Sequence, residues 1–208
     1  LIPEKIIWIS QCSLQIARYD DLLELAYKSG CRILSFGIET LNESSLSHID
    51  KEWNNPAGYA KAFANLRKHG IDISTEMILG LDGDQEDVFD KTFDFLMTNK
   101  ISVPRLYILT PVPGTSMYQN LENEGRIFDH NFVKYVGGSV VYEPKNMSAQ
   151  TLQRGYWSLY QKLYKTSNIL KRLRGNQAKL GLYMRAFVYG TNMIYRNHIR
   201  RGITPGIV

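Results

Sequence analysis

Four short apolar runs, each followed by a segment of helical character, are the feature of this 208-residue sequence that most restricts its fold. The runs are rich in β-branched and aromatic residues, which is typical of buried strands. The predicted strands are residues 6–14, 31–38, 71–81 and 105–112. Between them, apolar residues recur at helical spacing, as in residues 19–29. Further helices are predicted to begin at Pro56 and at Asp84, with a helical turn at residues 44–49, and a short strand is predicted at residues 139–142. This alternation predicts βα units around a parallel sheet.

Two architectures can be built from such units, an open doubly wound sheet or part of a (β/α) barrel, and the sequence favours the barrel. The predicted fold class is therefore α/β, with a partial (β/α) barrel of about four βα units and a C-terminal helical hairpin. The hairpin is predicted as a helix from Ser148 to about residue 173, a break at Gly175 and Asn176, and a second helix to about residue 199.

Charge divides the chain between the same two parts. Residues 1–143 contain 13 Lys and Arg against 20 Asp and Glu, a net charge of −7, whereas residues 144–208 contain 12 Lys and Arg and no carboxylate. We therefore expect two domains with these bounds. The basic part predicts docking on an anionic membrane surface or on nucleic acid. The alternative is that the hairpin packs on its own acidic barrel.

The start of the sequence predicts that the chain is a fragment of a longer protein. The first residue is Leu1 rather than methionine, and strand-like residues begin within five positions. The missing N-terminal part of the same protein is therefore an expected partner, and a homodimer through the open barrel edge is the alternative. No signal peptide and no run of about 18 uncharged apolar residues is present, so we expect a cytoplasmic location, with membrane association as the alternative.

The candidate site lies where the strands end, because ligands of parallel α/β folds bind at the carboxyl ends of the strands. The candidate binding residues there are Ser10, Gln11, Glu39, Thr40, Glu76, Leu79, Gly80, Thr110 and Pro111. Glu39 and Glu76 are the most informative, because an ionised carboxylate on an apolar strand is costly unless it has a partner. The two carboxylates are expected to bind an ammonium group or ribose hydroxyls. A structural pair with an arginine and a paired-carboxylate hydrolase site are the alternatives.

The remaining reactive residues predict no chemistry within the chain. Two cysteines, Cys12 and Cys31, are too few for a disulfide framework, a four-thiolate zinc site or an iron–sulfur cluster. No histidine pair has the spacing of metal ligands. We therefore predict no catalytic residue and no metal ligand in these 208 residues.

Three segments, in this order, resemble the radical S-adenosylmethionine (SAM) enzymes, most closely the branch with an N-terminal cobalamin-binding domain. Residues 37–40 (GIET), followed by Lys51, are similar to the "GIES…K" segment of that family. Residues 77–89 (MILGLDGDQEDVF) resemble its fifth-strand segment, "xIxGLPGExxxxF". Residues 109–118 (LTPVPGTSMY) resemble its "TPxPGTxxY" segment.

The resemblance implies three cofactors for the complete protein: SAM, a [4Fe–4S] cluster on a CxxxCxxC loop, and cobalamin through a missing N-terminal domain. Cys12 and Cys31 lie on predicted strands and cannot replace that loop. By the resemblance, Glu39 and Thr40 would line the ribose or methionine region of SAM. The adenine would be framed by Leu79, Gly80, Thr110 and Pro111. Ser10 and Gln11 would point into the substrate cavity.

The function predicted from the sequence is that of a fragment of a radical SAM oxidoreductase, in which the whole protein generates a 5′-deoxyadenosyl radical for methyl transfer or rearrangement. The chain alone is expected to be inactive. Two other functions stay open: a non-catalytic half-barrel interaction module, and a half-barrel lyase or hydrolase that uses Glu39 and Glu76.

Overall fold

The computed structural model describes residues 6–42, 58–174 and 180–206. Within them, four parallel strands form one sheet: β1 (Trp8–Gln11), β2 (Cys31–Glu39), β3 (Asp72–Leu79) and β4 (Val103–Ile108). The α-helices of the described residues are α1 (Asp20–Lys28), α2 (Tyr59–Lys68), α3 (Val88–Thr98), α4 (Ser116–Asn123), α5 (Ala149–Leu163), α6 (Thr166–Leu173) and α7 (Leu182–Arg200). A 3-10 helix, Leu14–Arg18, links β1 to α1.

The strand order decides between the two predicted architectures. The strands lie side by side in the order β1-β2-β3-β4, so that every crossover advances in one direction. Right-handed crossovers then place the connecting helices on one face of the sheet, whereas a doubly wound sheet needs a reversal of the order. The prediction of a partial barrel with four strands is confirmed.

The fourth strand ends earlier than predicted, and the helix before it begins later than predicted. β4 ends at Ile108 rather than at residue 112, because Pro111 and Pro113 cannot donate to a ladder. The helix that was predicted to begin at Asp84 begins at Val88. The short strand predicted at residues 139–142 is reduced to a single antiparallel bridge between Ile127 and Tyr142.

The helical hairpin is present, but its first arm is two helices. The helix is interrupted at Tyr164 and Lys165, which lie between α5 and α6. The second arm of the hairpin is α7. The break predicted at Gly175 and Asn176 lies outside the described residues, as do the helical turn predicted at residues 44–49 and the predicted helix start at Pro56. The boundary between the two domains at residue 143 stays a prediction.

The edge of β4 is closed by tyrosine hydroxyl groups instead of another strand. The Tyr160 hydroxyl accepts a hydrogen bond from the peptide nitrogen of Leu106 (2.7 Å) and donates one to the Leu106 carbonyl (2.9 Å). Tyr156 donates to the same carbonyl, and Tyr164 donates to the carbonyl of Pro104. An exposed row of unpaired peptide groups can pair with a strand of another chain. The tyrosine hydroxyl groups therefore protect this edge, and they also hold α5 against the sheet.

A buried arginine holds α6 and α7 against the sheet. The Arg172 side chain is fully buried and donates to the carbonyls of Ile101 and Leu163. It also donates to Oδ1 of Asn192 on α7 (2.8 Å), and Nδ2 of Asn192 donates to the carbonyl of Ser102 (3.0 Å). Burial lowers the pKa of the guanidinium, and the three acceptors of Arg172 offset the cost of burying its charge.

Replacement of Tyr160 by phenylalanine is expected to lower the free energy of unfolding by about 1 to 3 kcal/mol, because the buried N–H of Leu106 loses its acceptor and the C=O of Leu106 keeps only the longer bond from Tyr156. The measurement is urea unfolding followed by circular dichroism. Tyr183→Phe is the matched control, since that ring is 72% exposed, and it should leave the midpoint unchanged. Equal midpoints for Tyr160→Phe and the control would contradict the proposed edge closure.

Candidate functional site

The predicted site residues gather at the carboxyl end and on the inner face of the sheet. Gln11, Glu39 and Leu79 are the last residues of β1, β2 and β3, and Thr110 follows β4 by two positions. Because the strands are parallel, these ends lie at one edge of the sheet. Their roles towards a ligand stay predictions.

A polar network crosses the inner face of all four strands. Nε2 of Gln11 on β1 donates to Oε2 of Glu76 on β3 (3.0 Å). Arg105 on β4 forms an ion pair with Oε1 of Glu76, and its Nη2 also donates to Oγ of Ser35 on β2 (2.9 Å). Each oxygen of the Glu76 carboxylate therefore accepts a hydrogen bond. The network ties the strands together below the candidate site.

The arginine pair that the sequence left as an alternative for Glu76 is thus present. Arg105 and Ser35 were not predicted to take part. The signal that could have found Arg105 is register, since Glu76 and Arg105 are direct neighbours on the paired strands. Residues opposite each other on adjacent strands lie close enough for their side chains to interact.

The turn after β3 is fixed by Asp84. Its Oδ2 accepts hydrogen bonds from the peptide nitrogens of Gly80 (2.9 Å) and Leu81 (3.1 Å). Burial raises the pKa of the Asp84 carboxyl to about 6, against the opposing effect of these two hydrogen bonds. Because the Asp84 side chain bonds to peptide nitrogens that precede it in the chain, it does not cap the nitrogens of a following helix, and no helix begins at Asp84.

Gly80 occupies a position in this turn that no other residue would fit. Its φ is +92°, and a Cβ atom there would collide with the Tyr142 hydroxyl and the Leu152 side chain. The Tyr142 hydroxyl donates to the Gly80 carbonyl, while the Gly80 nitrogen donates to Asp84. Both backbone polar groups of Gly80 are therefore in use within the turn.

Surrounding side chains brace the same turn from outside. Asp82 forms ion pairs with Arg126 (2.7 Å) and Lys145 (2.8 Å), which together hold the pKa of its carboxyl below the usual range although burial opposes them. Nδ2 of Asn146 donates to the carbonyls of Asp82 and Asp84. The turn is therefore anchored to the segment that leads into α5.

The end of β2 has an unusual backbone. Glu39 has a φ of +64°, and the ladder to β3 shifts register between Gly37 and Glu39. A positive φ is rare outside glycine and points to a functional or structural constraint. Thr40 is buried, and its Oγ1 accepts a hydrogen bond from the nitrogen of Asn42 (3.1 Å). Nδ2 of Asn42 donates to the carbonyl of Gly83 (2.6 Å), so the ends of β2 and β3 are linked.

The end of β4 continues the same edge. The nitrogen of Leu109 donates to the carbonyl of Leu79 (2.9 Å), which extends the contact with β3 by one residue. Oγ1 of Thr110 donates to the carbonyl of Ile108 (3.1 Å), and Pro111 is buried. Thr110 and Pro111 therefore follow directly on the contact between Leu109 and Leu79, and their role towards an adenine ring stays a prediction.

A cavity of about 210 Å³ lies between the inner face of the sheet and α7. The side chains of its wall are Ile9, Ser10, Gln11, Ile33, Ser35, Ser74, Val103, Arg105, Phe187, Thr191 and Tyr195. Ser10 and Gln11 thus line a cavity that α7 borders from the other side, and their role towards a substrate stays a prediction. The contribution of α7 to this wall was not predicted.

The cysteines do not fit an iron–sulfur cluster. Burial raises the pKa of the Cys12 thiol, and it raises that of Cys31 to about 12, whereas a metal ligand must be a thiolate. Over residues 6–42, 58–174 and 180–206, no group of three or more His, Cys, Asp or Glu side chains could hold a metal ion.

Comparison with known proteins gives related sequences for almost the whole chain. A bacteriochlorophyllide d C-12(1)-methyltransferase of Chlorobaculum tepidum is 33% identical over 198 residues, which is 95% of this chain and 41% of that protein. An anaerobic magnesium-protoporphyrin IX monomethyl ester cyclase of Cereibacter sphaeroides is 24% identical over 78% of this chain and 26% of its own length. The chain therefore spans less than half the length of either relative.

One family model and one solved structure add to these relatives. A family described as a domain of unknown function (DUF4070) matches residues 115–201. The radical S-adenosylmethionine methyltransferase TsrM of Kitasatospora setae, solved with cobalamin and a [4Fe–4S] cluster, superposes with a TM-score of 0.54. That superposition covers 93% of this chain and 44% of TsrM at 14% identity, so it establishes the shared fold.

Asp84 is expected to make stability depend on pH. Since its pKa is raised from 3.8 to about 6, the folded protein holds the proton more tightly than the unfolded chain. Its contribution is complete below about pH 4 and is lost as the pH rises through about 6, by up to about 3 kcal/mol. Asp84→Asn should lack this loss in urea unfolding measured from pH 4 to 7.

The matched control for that experiment is Glu86→Gln, in an exposed carboxylate two residues away. It should keep the pH dependence of the unsubstituted chain. If Asp84→Asn and Glu86→Gln follow the same pH profile, burial of Asp84 is not the cause.

Proposed function

We propose that this chain, a relative of the radical SAM methyltransferases and cyclases most like the cobalamin-type branch, forms the SAM-binding side of the barrel in a methyltransferase. The observation that supports this most strongly is the 33% identity to a bacteriochlorophyllide methyltransferase over 95% of the chain. The three segments that resemble radical SAM motifs all fall at the carboxyl ends of β2, β3 and β4. A ligand that contacts all three segments must therefore lie at this edge of the sheet.

The chemistry of this edge fits SAM. The Glu39 carboxylate can accept hydrogen bonds from the ribose hydroxyls or from the methionyl ammonium. Leu79, Gly80 and Pro111 are buried and give this edge a packed apolar base, against which we propose that the adenine ring lies. The turn held by Asp84 and Tyr142 supplies a rigid support, and rigid support is what precise positioning of a reacting group requires. One SAM molecule would supply the methyl group, and a second would supply the 5′-deoxyadenosyl radical in the complete protein, on reductive cleavage by an electron from the cluster.

The inner face of the sheet fits an apolar substrate. Because Arg105 and Gln11 occupy both oxygens of Glu76, the pair presents no net charge to the lumen. Ile9, Ile33 and Val103 give the adjoining cavity of about 210 Å³ apolar patches between polar side chains such as Ser35 and Ser74. We propose a tetrapyrrole of the kind named for the relatives as the substrate, which would reach beyond this cavity into the open lumen of the barrel.

Cyclisation of a tetrapyrrole is the second candidate reaction. It is favoured by the relationship to the magnesium-protoporphyrin cyclase, which covers 78% of the chain. The hydrolase alternative loses support, because a carboxylate that is already bound to Arg105 and Gln11 is poorly placed to act as a general acid or base. The interaction-module alternative predicts no affinity for SAM.

The cluster and cobalamin would be bound by other parts of a longer protein. The uncovered edge of β1 is the place where we propose that those parts join the barrel. Ile6, Ile7 and Ile9 are exposed there, and in the described part of the chain only β2 pairs with β1. A homodimer through the same edge is the alternative.

SAM is expected to bind the isolated chain, and Glu39→Gln is expected to weaken that binding about tenfold, because a charge-assisted hydrogen bond is lost. Isothermal titration calorimetry measures both affinities. The matched control is Glu24→Gln on α1, an exposed carboxylate on a helix remote from the strand ends. Absence of SAM binding would favour the interaction module, and equal affinities would remove Glu39 from the site.

The isolated chain is expected to stay free of cluster after anaerobic reconstitution with iron and sulfide, because its two thiols are protonated and too few. Iron analysis and visible absorption test this directly. Under dithionite, such a sample should form no 5′-deoxyadenosine from SAM. Stoichiometric iron together with SAM cleavage would show that the chain is catalytically complete.

A further inference from the structure

The outer face of α7 is an apolar and basic surface that the fold leaves uncovered. One side of this 19-residue helix packs on the protein through Met184, Val188, Asn192, Tyr195 and Ile199. The opposite side exposes Leu182 (85%), Tyr183 (72%), Ile194 (53%) and Tyr189 (40%). A helix with a second apolar face needs a second environment to bury it.

Arginines stand between these apolar side chains. Arg200 is exposed on this outer side of α7 and Arg201 follows at its end, while Arg185 is exposed at the border with the packed side, where its Nε donates to the carbonyl of Leu180 (3.0 Å). No carboxylate occurs anywhere in residues 144–208, so nothing on this part of the chain neutralises them. A helix about 28 Å long with apolar side chains and arginines on one side matches the composition of interfacial membrane helices.

From these observations we propose that the outer face of α7 docks on an anionic lipid surface, with Leu182 and Ile194 in the acyl boundary and the arginines on the headgroups. Within the described residues, no helix is long and apolar enough to cross a membrane. Lipid fits this face better than nucleic acid. A phosphate backbone would use the arginines but would leave the aliphatic side chains in water.

The contact combines two separate physical effects. The arginines attract anionic headgroups over about one Debye length, roughly 10 Å at 0.1 M salt. Once the helix is at the surface, burial of the aliphatic side chains stabilises it there without dependence on salt. This inference does not rest on the proposed catalytic function, because neither effect involves SAM or the strand ends.

The test is co-sedimentation of the 208-residue chain with vesicles of phosphatidylcholine alone and of phosphatidylcholine with phosphatidylglycerol. We expect binding to the mixed vesicles only, and less of it at 1 M salt. Leu182→Ser with Ile194→Ser should weaken binding at least about tenfold, since two exposed side chains lose their burial in the interface. Arg185→Gln with Arg200→Gln should weaken it and reduce its salt dependence.

Matched controls distinguish binding through the outer face of α7 from nonspecific binding of exposed apolar side chains. Leu22 and Leu25 on α1 are also exposed (46% and 57%), and their replacement by serine should not change binding. A parallel titration with single-stranded RNA tests the other anionic partner. The proposal is overturned if the mixed vesicles do not bind, if the α7 and α1 variants behave alike, or if RNA binds more tightly than the vesicles.

Discussion

The peptide groups along the free edge of β4 are the constraint on which the rest of the structure depends. A partial barrel ends in a strand whose N–H and C=O groups have no further strand to pair with, and such an edge is both costly and prone to aggregate. Three tyrosines satisfy it, with Tyr160 acting as both acceptor and donor for Leu106. The helical extension is therefore part of the barrel's stability rather than an appendage to it.

That arrangement also explains how a carboxylate-free segment of net charge +12 packs on an acidic barrel. The contact depends on hydroxyl–peptide hydrogen bonds and on the buried Arg172, whereas ion pairs such as Lys162–Asp90 (2.9 Å) lie at the exposed rim. Exposed ion pairs contribute about 1 kcal/mol or less. Most of the positive charge of the extension therefore lies on its solvent-exposed side. There, α7 exposes arginines together with apolar side chains.

Sequence reasoning succeeded where local chemistry decides the structure. The four strands, the sheet class and the resemblance to radical SAM enzymes all follow from patterns within short segments, and the structure and the relatives confirm them.

Sequence reasoning failed where the local structure depends on a contact with a residue distant in the sequence. Asp84 resembles a helix N-cap, but its carboxylate binds the turn that precedes it. Tyr164 and Lys165 are ordinary helix residues, and the break there accompanies the bond from Tyr164 to Pro104. The Arg105 pair with Glu76 needed the strand register, which no single segment contains.

The central claim is that the carboxyl ends of β2, β3 and β4 form one ligand site for SAM. Its most direct test is a titration of the isotope-labelled chain with S-adenosylhomocysteine, followed by amide chemical shifts in two-dimensional NMR. The account predicts that the shifts concentrate on Gly37 to Thr40, on Gly80 and Leu81, and on Leu109 and Thr110. Shifts confined to α7 and the cavity beside it, or no shifts at all, would contradict it.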